Sequence, residues 1–183
     1  GGWCTTQPAA GSACGGTSRA AGSTFSITSN VTLYAVWTLT CAQGGTCVVG
    51  DTGPGGGVVF YVAGSNFTST GSDCGTTCRY LEAAPSDQST GTQWCSNNST
   101  TLFVTATAIG TGMANTNTAR DTCASGAIQI AADYSNAAAI DWHLPSRLEL
   151  NELCKYARQQ TTGDTSVSCI STGSLRAGFS SSS

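Results

Sequence analysis

The most reactive side chains of this chain are its ten cysteines, and their number and spacing indicate disulfides. They are even in number and spread over 183 residues. The close pairs are spaced C-x5-C and C-x3-C, whereas zinc knuckles use C-x2-C pairs or Cys/His clusters. We therefore expect five bridges, which are typical of an oxidising, extracellular location. Sequence leaves the connectivity open, and proximity alone pairs Cys4 with Cys14, Cys41 with Cys47, Cys74 with Cys78, Cys95 with Cys123 and Cys154 with Cys169.

Side chains for acid–base or nucleophilic catalysis are scarce. His143 is the single histidine and has no recognisable partner to orient it, so we interpret it as a packing or surface residue. Paired carboxylates for glycoside hydrolysis would have to come from Glu82, Glu149 and Glu152 or from seven aspartates. Glu149 is better explained as a helix-capping residue. We predict a non-enzymatic protein with no catalytic residues.

A glycine-rich loop, residues 50–57, contains the one candidate metal ligand. Asp51 and neighbouring carbonyls could hold Ca²⁺, because hard cations take oxygen ligands. An Asx-type hydrogen bond is the more common role of aspartate in such a turn, and we favour it. The loop leads into a strand and lacks the G-K-[ST] ending of a phosphate-binding loop. We expect no cofactor, with calcium as the open alternative.

Charge is low and unevenly distributed. Only 9% of residues are charged, where a soluble domain has roughly a quarter, and the net charge is -3 without any basic run. This pattern excludes a duplex nucleic-acid binder. No apolar stretch approaches the roughly 18 residues of a membrane span. Because residues 1–40 carry one charged side chain, Arg19, we expect two modules, 1–40 and 50–183, with a connector at 41–49.

The first module alternates apolar and polar residues in the period of a strand. The stretches 24–27 and 31–37, separated by the polar turn 28–30, predict a hairpin. Its apolar face would carry Val31, Leu33, Ala35 and Trp37.

The second module predicts mixed α and β elements. The apolar run 58–62 predicts a central strand buried on both faces, followed by strands at 80–84 and near 92–94. Helical patterns follow as a single turn at 118–123 and a short helix at 126–134. The best-signalled helix, 147–159, begins at a capping box of Ser146 and Glu149. Its expected apolar stripe is Leu150, Leu153, Cys154 and Ala157.

Three segments of the first module carry a resemblance to a known family. Gly2-Trp3, Gly22-Ser23-Thr24-Phe25-Ser26-Ile27 and Val31-Thr32-Leu33-Tyr34-Ala35-Val36-Trp37 resemble the C-terminal half of a Listeria-Bacteroides (internalin-type B) repeat. The resemblance implies a truncated β-grasp-like spacer in a long bacterial surface protein. The alternative is an ordinary amphipathic hairpin.

Four ordered blocks of the second module carry another resemblance. They are Gly50–Tyr61, Leu81–Pro85, Ala108–Thr116 and Asp141–Leu150, and together they are similar to the Lcl C-terminal domain, the C-terminal domain of the Legionella collagen-like adhesin. The resemblance covers residues 48 to 183 and implies a disulfide-rich, C-type-lectin-like α+β domain with two helices. Family members usually end in a YWSSS-like strand. In this chain Phe179–Ser183 is either a degenerate version of that strand or precedes a missing one.

The family resemblance also suggests ligands. The adhesin domain binds sulfated glycosaminoglycans as a trimer through a cationic surface, and Arg147, Lys155 and Arg158 share one predicted helix. They predict a local basic stripe, although a solvated face with a Glu152–Lys155 pair is the alternative. The second module has six basic and ten acidic residues, so its net charge weakens attraction for sulfate. Trp94 and Tyr80 are candidates for stacking on neutral glycans, or else core aromatics.

These patterns together predict an extracellular bacterial adhesion module, on the cell surface or secreted. Its partners would be glycans or extracellular matrix, with a homo-oligomer, trimer or filament, as a further expectation. The alternative is a structural protomer or decoration of an extracellular filament, in which low-charge surfaces pack against copies of themselves. An enzyme is the least expected class.

Overall fold

The chain forms a small mixed α+β protein of two compact units. The computed structural model describes residues 1–9, 11–97, 99, 101–102, 104 and 106–180. Contacts separate residues 1–46 from residues 47–183, a boundary inside the predicted connector. All ten cysteines are disulfide-bonded. The proximity pairing is confirmed for Cys4–Cys14, Cys74–Cys78, Cys95–Cys123 and Cys154–Cys169.

The first unit contains a three-stranded antiparallel sheet. Its strands are β1 (Gly2–Cys4), β2 (Ser18–Ala20) and β3 (Tyr34–Val36), in the order β2-β1-β3. A short 3-10 helix follows at Cys41–Gln43. Because β1 lies between its two partners, the Cys4–Cys14 bridge anchors the central strand, and Cys4 is fully buried.

The hairpin predicted for the first unit is wrong. Residues 24–27 form no strand, and the stretch 31–37 is reduced to β3. That strand pairs with β1 instead, with Trp3 opposite Ala35. The alternation also fails to bury an apolar face, since Ile27 is 70% exposed and Trp37 is 76% exposed. Tertiary pairing with β1 therefore overrides the local pattern.

The second unit contains a two-stranded antiparallel sheet. Strand β4 (Val58–Phe67) pairs with β5 (Cys78–Ala83), with irregular register along the ladder. Val59, Phe60 and Tyr61 are buried, which confirms burial of β4 on both faces. The prediction that β4 is central is wrong, because β5 is its only paired strand in the described residues.

Two short helices precede the long one. Helix α1 (Gly112–Arg120) is longer than the predicted turn at 118–123, and α2 (Ala127–Asp133) confirms the helix expected at 126–134. The strand expected near 92–94 is wrong. The carbonyls of Gln93 and Trp94 instead accept hydrogen bonds from the first N–H groups of α2. Those carbonyls satisfy donors that a helix start leaves without internal partners.

Helix α3 (Arg147–Ala157) begins at the predicted capping box. The Glu149 N–H donates to the Ser146 hydroxyl at 3.4 Å, and the Ser146 N–H donates to the Glu149 carboxylate at 2.7 Å. The apolar stripe is wrong at Leu150, which is 54% exposed. The buried face of α3 instead consists of Glu149, Glu152, Lys155, Tyr156 and Ala157.

The core of the second unit has two parts. Tyr156 of α3 packs with the buried residues of β4, and Phe179 contacts the Tyr156 ring edge-to-face at 6.0 Å between centroids. Around the Cys95–Cys123 bridge, Ala119 and Ile128 form a second cluster. Phe179 lies outside any strand, and Ser181–Ser183, on which the expected C-terminal strand also falls, lie outside the described residues.

Candidate functional site

The glycine-rich loop before β4 is built around a carboxylate. The N–H groups of Gly55 and Gly57 donate to the two oxygens of Glu82, on β5, at 3.2 and 3.1 Å. A Cβ at Gly53 would lie 2.1 Å from the Glu82 carboxyl carbon, so any larger residue there would displace this carboxylate. The protein's own Glu82 thus occupies the position that an anionic ligand takes in a phosphate-binding loop.

An aromatic pair covers this loop. The Trp142 ring lies 3.3 Å from the Cβ position of Gly55 and 3.2 Å from that of Gly57. Tyr134, just after α2, contacts Trp142 at 5.4 Å between ring centroids. Asn136 donates its side-chain amide to the Gly55 carbonyl at 2.8 Å. The segment between α2 and α3 is therefore held against the loop by stacking and by hydrogen bonds.

Tyr80 and Asp141 complete the site. Tyr80 and Glu82 are two residues apart on β5 and so share a face of the strand. Burial raises the pKa of the Tyr80 phenol, and the negative charges of Glu82 and Asp141 raise it further. Burial also raises the pKa of Glu82, against the lowering effect of the two glycine N–H groups and with a smaller raising effect of Asp141.

We call this feature the Tyr80 groove. It lies within a broad cavity of about 1360 Å³, and its named wall residues are Tyr80, Glu82, Tyr134, Asp141 and Trp142. Each of these side chains is half-buried, so part of it packs against the protein and part of it faces solvent. Half-buried aromatic rings with a few convergent polar groups are typical of small-molecule and sugar sites.

The predicted basic stripe on α3 is wrong at Lys155. Its side chain is 1% exposed, and its ammonium donates to the Glu152 carboxylate at 2.5 Å and to the Asp164 carbonyl at 2.6 Å. The Glu152–Lys155 pairing considered from sequence is thus present, but in the interior. A charge held this way is not available to a sulfated ligand.

The other two basic candidates, Arg147 and Arg158, do not form a cluster with Lys155. Arg147 is exposed at the first residue of α3. Arg158, just past the C-terminal end of α3, is half-buried and donates to the Ser171 carbonyl at 2.8 Å. Arg158 does line the cavity that contains the Tyr80 groove.

Trp94 lies apart from the Tyr80 groove. It is 40% exposed, beside the Cys95–Cys123 bridge, and is absent from the residues that line the cavity. Its role in stacking on a glycan remains a prediction. Of the two aromatic candidates, Tyr80 is the one that the structure places in a concave site.

Asp51 has the geometry of a turn residue. Its carboxylate accepts a hydrogen bond from the Val48 N–H at 2.9 Å, and its N–H donates to the Val48 carbonyl at 3.1 Å. Among the described residues, no group of three or more His, Cys, Asp or Glu side chains is arranged to hold a metal ion. A calcium site at Asp51 remains an untested alternative.

His143 and Glu149 form a second polar cluster, and both line the cavity that contains the Tyr80 groove. The Glu149 carboxylate accepts from the Gly110 N–H at 2.7 Å and lies 3.8 Å from His143 Nε2. Burial tends to lower the pKa of His143, but Glu149 and the Asp141 carbonyl outweigh it and the pKa is raised. Burial tends to raise the pKa of Glu149, but His143 and the N–H groups of Ser146 and Gly110 lower it.

This cluster serves structure, and the same holds for the other two glutamates. Glu149 joins the start of α3 to the loop before α1, Glu152 binds Lys155, and Glu82 holds the glycine loop. The three glutamates are therefore bound to the chain itself.

Sequence reasoning missed most of the groove. Trp142 and Asp141 lie four and five residues before the capping box, and Glu82 lies in a predicted strand, yet none was selected as a binding residue. The available signal was the glycine loop itself, since several adjacent glycines indicate close approach by another group. The groups that approach these glycines are the Glu82 carboxylate and the Trp142 ring.

No protein-family model, curated protein or solved structure shows a significant match to the chain. The resemblances to the internalin-type B repeat and to the Lcl C-terminal domain therefore stay predictions. None of the described helices is both long enough and apolar enough to cross a lipid bilayer.

Proposed function

We propose that this chain is an extracellular adhesion module that binds uncharged glycans in the Tyr80 groove. The observation that carries the proposal is the juxtaposition of aromatic rings and carboxylates along one groove, at Tyr80, Glu82, Asp141 and Trp142. The flat C–H face of a pyranose can lie on an aromatic ring while its hydroxyls donate to carboxylate oxygens. Each Glu82 oxygen accepts one N–H bond from the glycine loop and so keeps a second lone pair for such a hydroxyl. The disulfide at every cysteine supports an oxidising, extracellular location.

Electrostatics favours uncharged glycans over the sulfated ligand implied by the family resemblance. Lys155 is buried and neutralised, and the groove itself is lined by Glu82 and Asp141. A sulfate brought close to these carboxylates would be repelled, because like charges at short range in a partly desolvated site cost free energy. The cationic surface that a glycosaminoglycan needs is therefore not supported at this groove.

A glycan array tests the proposal. Purified protein is applied to neutral and heparin-like glycans at 0.1 M and 0.5 M NaCl, together with Tyr80→Ala and the control Arg147→Ala. We expect neutral glycans to bind with little salt dependence, and Tyr80→Ala to weaken binding roughly fivefold, since stacking of one ring is worth about 1 kcal/mol. Arg147→Ala should bind like the original protein.

Two results would overturn this function. One is no glycan binding at high protein concentration. The other is binding to sulfated glycans alone that weakens with salt and is lost in Arg147→Ala, which would assign the ligand to the basic residues of α3.

Self-association into a filament is the second candidate, and exposed apolar side chains of the second unit favour it. Ile140 is 70% exposed, Ile170 is 58% exposed and Val167 is 54% exposed. Apolar residues at a surface of low charge are typical of contacts between proteins. Electron microscopy of the full-length protein checks this candidate, which fails if the particles stay monomeric and dispersed.

A further inference from the structure

The first unit exposes two tryptophans, one in its sheet and one next to it. Trp3, in the central strand β1, is 45% exposed, and Trp37, directly after β3, is 76% exposed. Large aromatic side chains gain free energy from burial, so two that remain exposed together indicate a contact surface.

The register of β1 and β3 brings the two tryptophans into neighbouring positions of the chain trace. Trp3 lies opposite Ala35 in the antiparallel pair of β1 and β3, and Trp37 follows the last residue of β3. If the alternation of β3 is continued by one residue, Trp37 falls on the face of Ala35, as the diagonal neighbour of Trp3. Diagonal neighbours are about 7–8 Å apart, close enough for two rings to contact one extended ligand.

This face is almost uncharged. The only charged side chain among residues 1–46 is Arg19, which lies opposite Trp3 in β2. Its guanidinium lies over the Phe25 ring, 4.5 Å from the centroid, so the cation already has an aromatic partner. A highly charged partner would find only this one cation here to compensate its own charges.

The size of the face argues against a second protein. Each strand has three residues, so the sheet measures about 10 Å along the strands and about 10 Å across them. Stable protein interfaces bury about 800 Å² on each partner. Even with the area of both indoles added, this face is far smaller than the area that a stable protein interface buries on one partner. It is large enough for two or three sugar rings.

We propose that Trp3 and Trp37 form a platform that binds uncharged polysaccharide by stacking. This site is on the first unit and is independent of the Tyr80 groove on the second.

The test is retention of the full chain on insoluble, uncharged polysaccharides, cellulose and chitin, at 0.1 M and 1 M NaCl. We expect retention that does not depend on salt. The double variant Trp3→Leu, Trp37→Leu should lower the association constant at least tenfold, because leucine keeps apolar area but offers no flat ring. Trp3→Phe, Trp37→Phe should retain part of the binding. The matched control is Ile170→Ala, which removes an apolar side chain whose exposure, 58%, lies between those of the two tryptophans and which does not line the cavity of the Tyr80 groove.

Three outcomes would overturn the platform. They are no retention of the original protein, equal retention of the double leucine variant, or self-association in sedimentation that disappears with the two tryptophans. Circular dichroism of the leucine variant checks that it is folded. Tyr80→Ala should remain bound to the insoluble polysaccharide, and the leucine variant should keep its binding on the glycan array, so failure at one site is distinguishable from failure at the other.

Discussion

The Lys155 ammonium donates a hydrogen bond to the Glu152 carboxylate at 2.5 Å, with both side chains almost fully buried. The second Glu152 oxygen accepts from the Gly163 N–H at 2.7 Å, and Lys155 also donates to the Asp164 carbonyl. Burial raises the pKa of the nearby Tyr61 phenol, and the negative charge of Glu152 raises it further. One ion pair thus links α3 to the loop at 163–164.

Breaking this pair should strongly destabilise the second unit. We expect Lys155→Met to lower the free energy of unfolding by about 3–5 kcal/mol, because it leaves the Glu152 charge buried without its partner. Denaturant unfolding followed by circular dichroism measures the change. The double variant Glu152→Leu, Lys155→Met should recover part of the loss. If the single variant costs less than 1 kcal/mol, the buried pair is not present in solution.

Acid should remove the contribution of Glu149. Its pKa is lowered in the folded protein, so its stabilisation is complete above the unfolded-state value of about 4.3 and is lost as the pH falls through the lower folded value. Glu149→Gln should therefore cost about 1–3 kcal/mol at pH 6 and less at pH 3. Denaturant unfolding at the two pH values checks this, and a cost independent of pH would contradict it.

The contribution of His143 should vary in the opposite direction. Its pKa is raised in the folded protein, so its stabilisation is complete below the unfolded-state value of about 6.5 and is lost as the pH rises through the higher folded value. The cost of His143→Gln should be larger at pH 5.5 than at pH 8.5. Thermal melts of both proteins at the two pH values measure the difference, and equal shifts would show that the ring stays neutral.

Gly112 should tolerate no side chain. A Cβ at this position would lie 2.2 Å from a Glu149 carboxylate oxygen and 2.8 Å from the Leu144 carbonyl. Gly112→Ala should therefore lower the melting temperature even though alanine favours helix, by forcing apart the starts of α1 and α3. Gly64→Ala is the control, since nothing lies within 4 Å of a Cβ there. A stabilised Gly112→Ala variant would contradict the contact.

The disulfides should differ in their effect on stability. Loss of Cys95–Cys123, with a sequence separation of 28, should cost about 3.6 kcal/mol by loop entropy, whereas loss of Cys74–Cys78 should cost about 2 kcal/mol. Both sulfurs of the first pair also belong to fully buried residues, which adds a packing loss. Unfolding of the two double alanine variants gives the ranking, and the reverse order would be inconsistent with it.

Local signals predicted the elements that depend on local contacts. The capping box at Ser146 and Glu149 located the start of α3, and the apolar run located β4. The proximity of cysteines in sequence gave the pairs whose loops are short. These features need only neighbours along the chain, so a single sequence contains them.

Features that depend on distant partners were not predictable. The apolar pattern of α3 gave no sign that Glu152 and Lys155 face inward, because their burial depends on Gly163 and Asp164 of a later loop. The pairing of β1 with β3 likewise depends on residues more than thirty positions apart. The Tyr80 groove combines residues of β5 with residues of the segment before α3. The periodicity of either element does not indicate that the two lie next to each other in the fold.

Lys155 is the only lysine in the sequence, and its burial has a practical consequence. Amine-reactive reagents have no accessible lysine side chain to modify while α3 is folded. Modification of Lys155 in a short labelling pulse, located by peptide mass spectrometry, would therefore report how often α3 opens. The same property makes lysine-directed immobilisation unsuitable for presenting this protein to glycans, because each molecule attached through Lys155 would have been captured in an unfolded state.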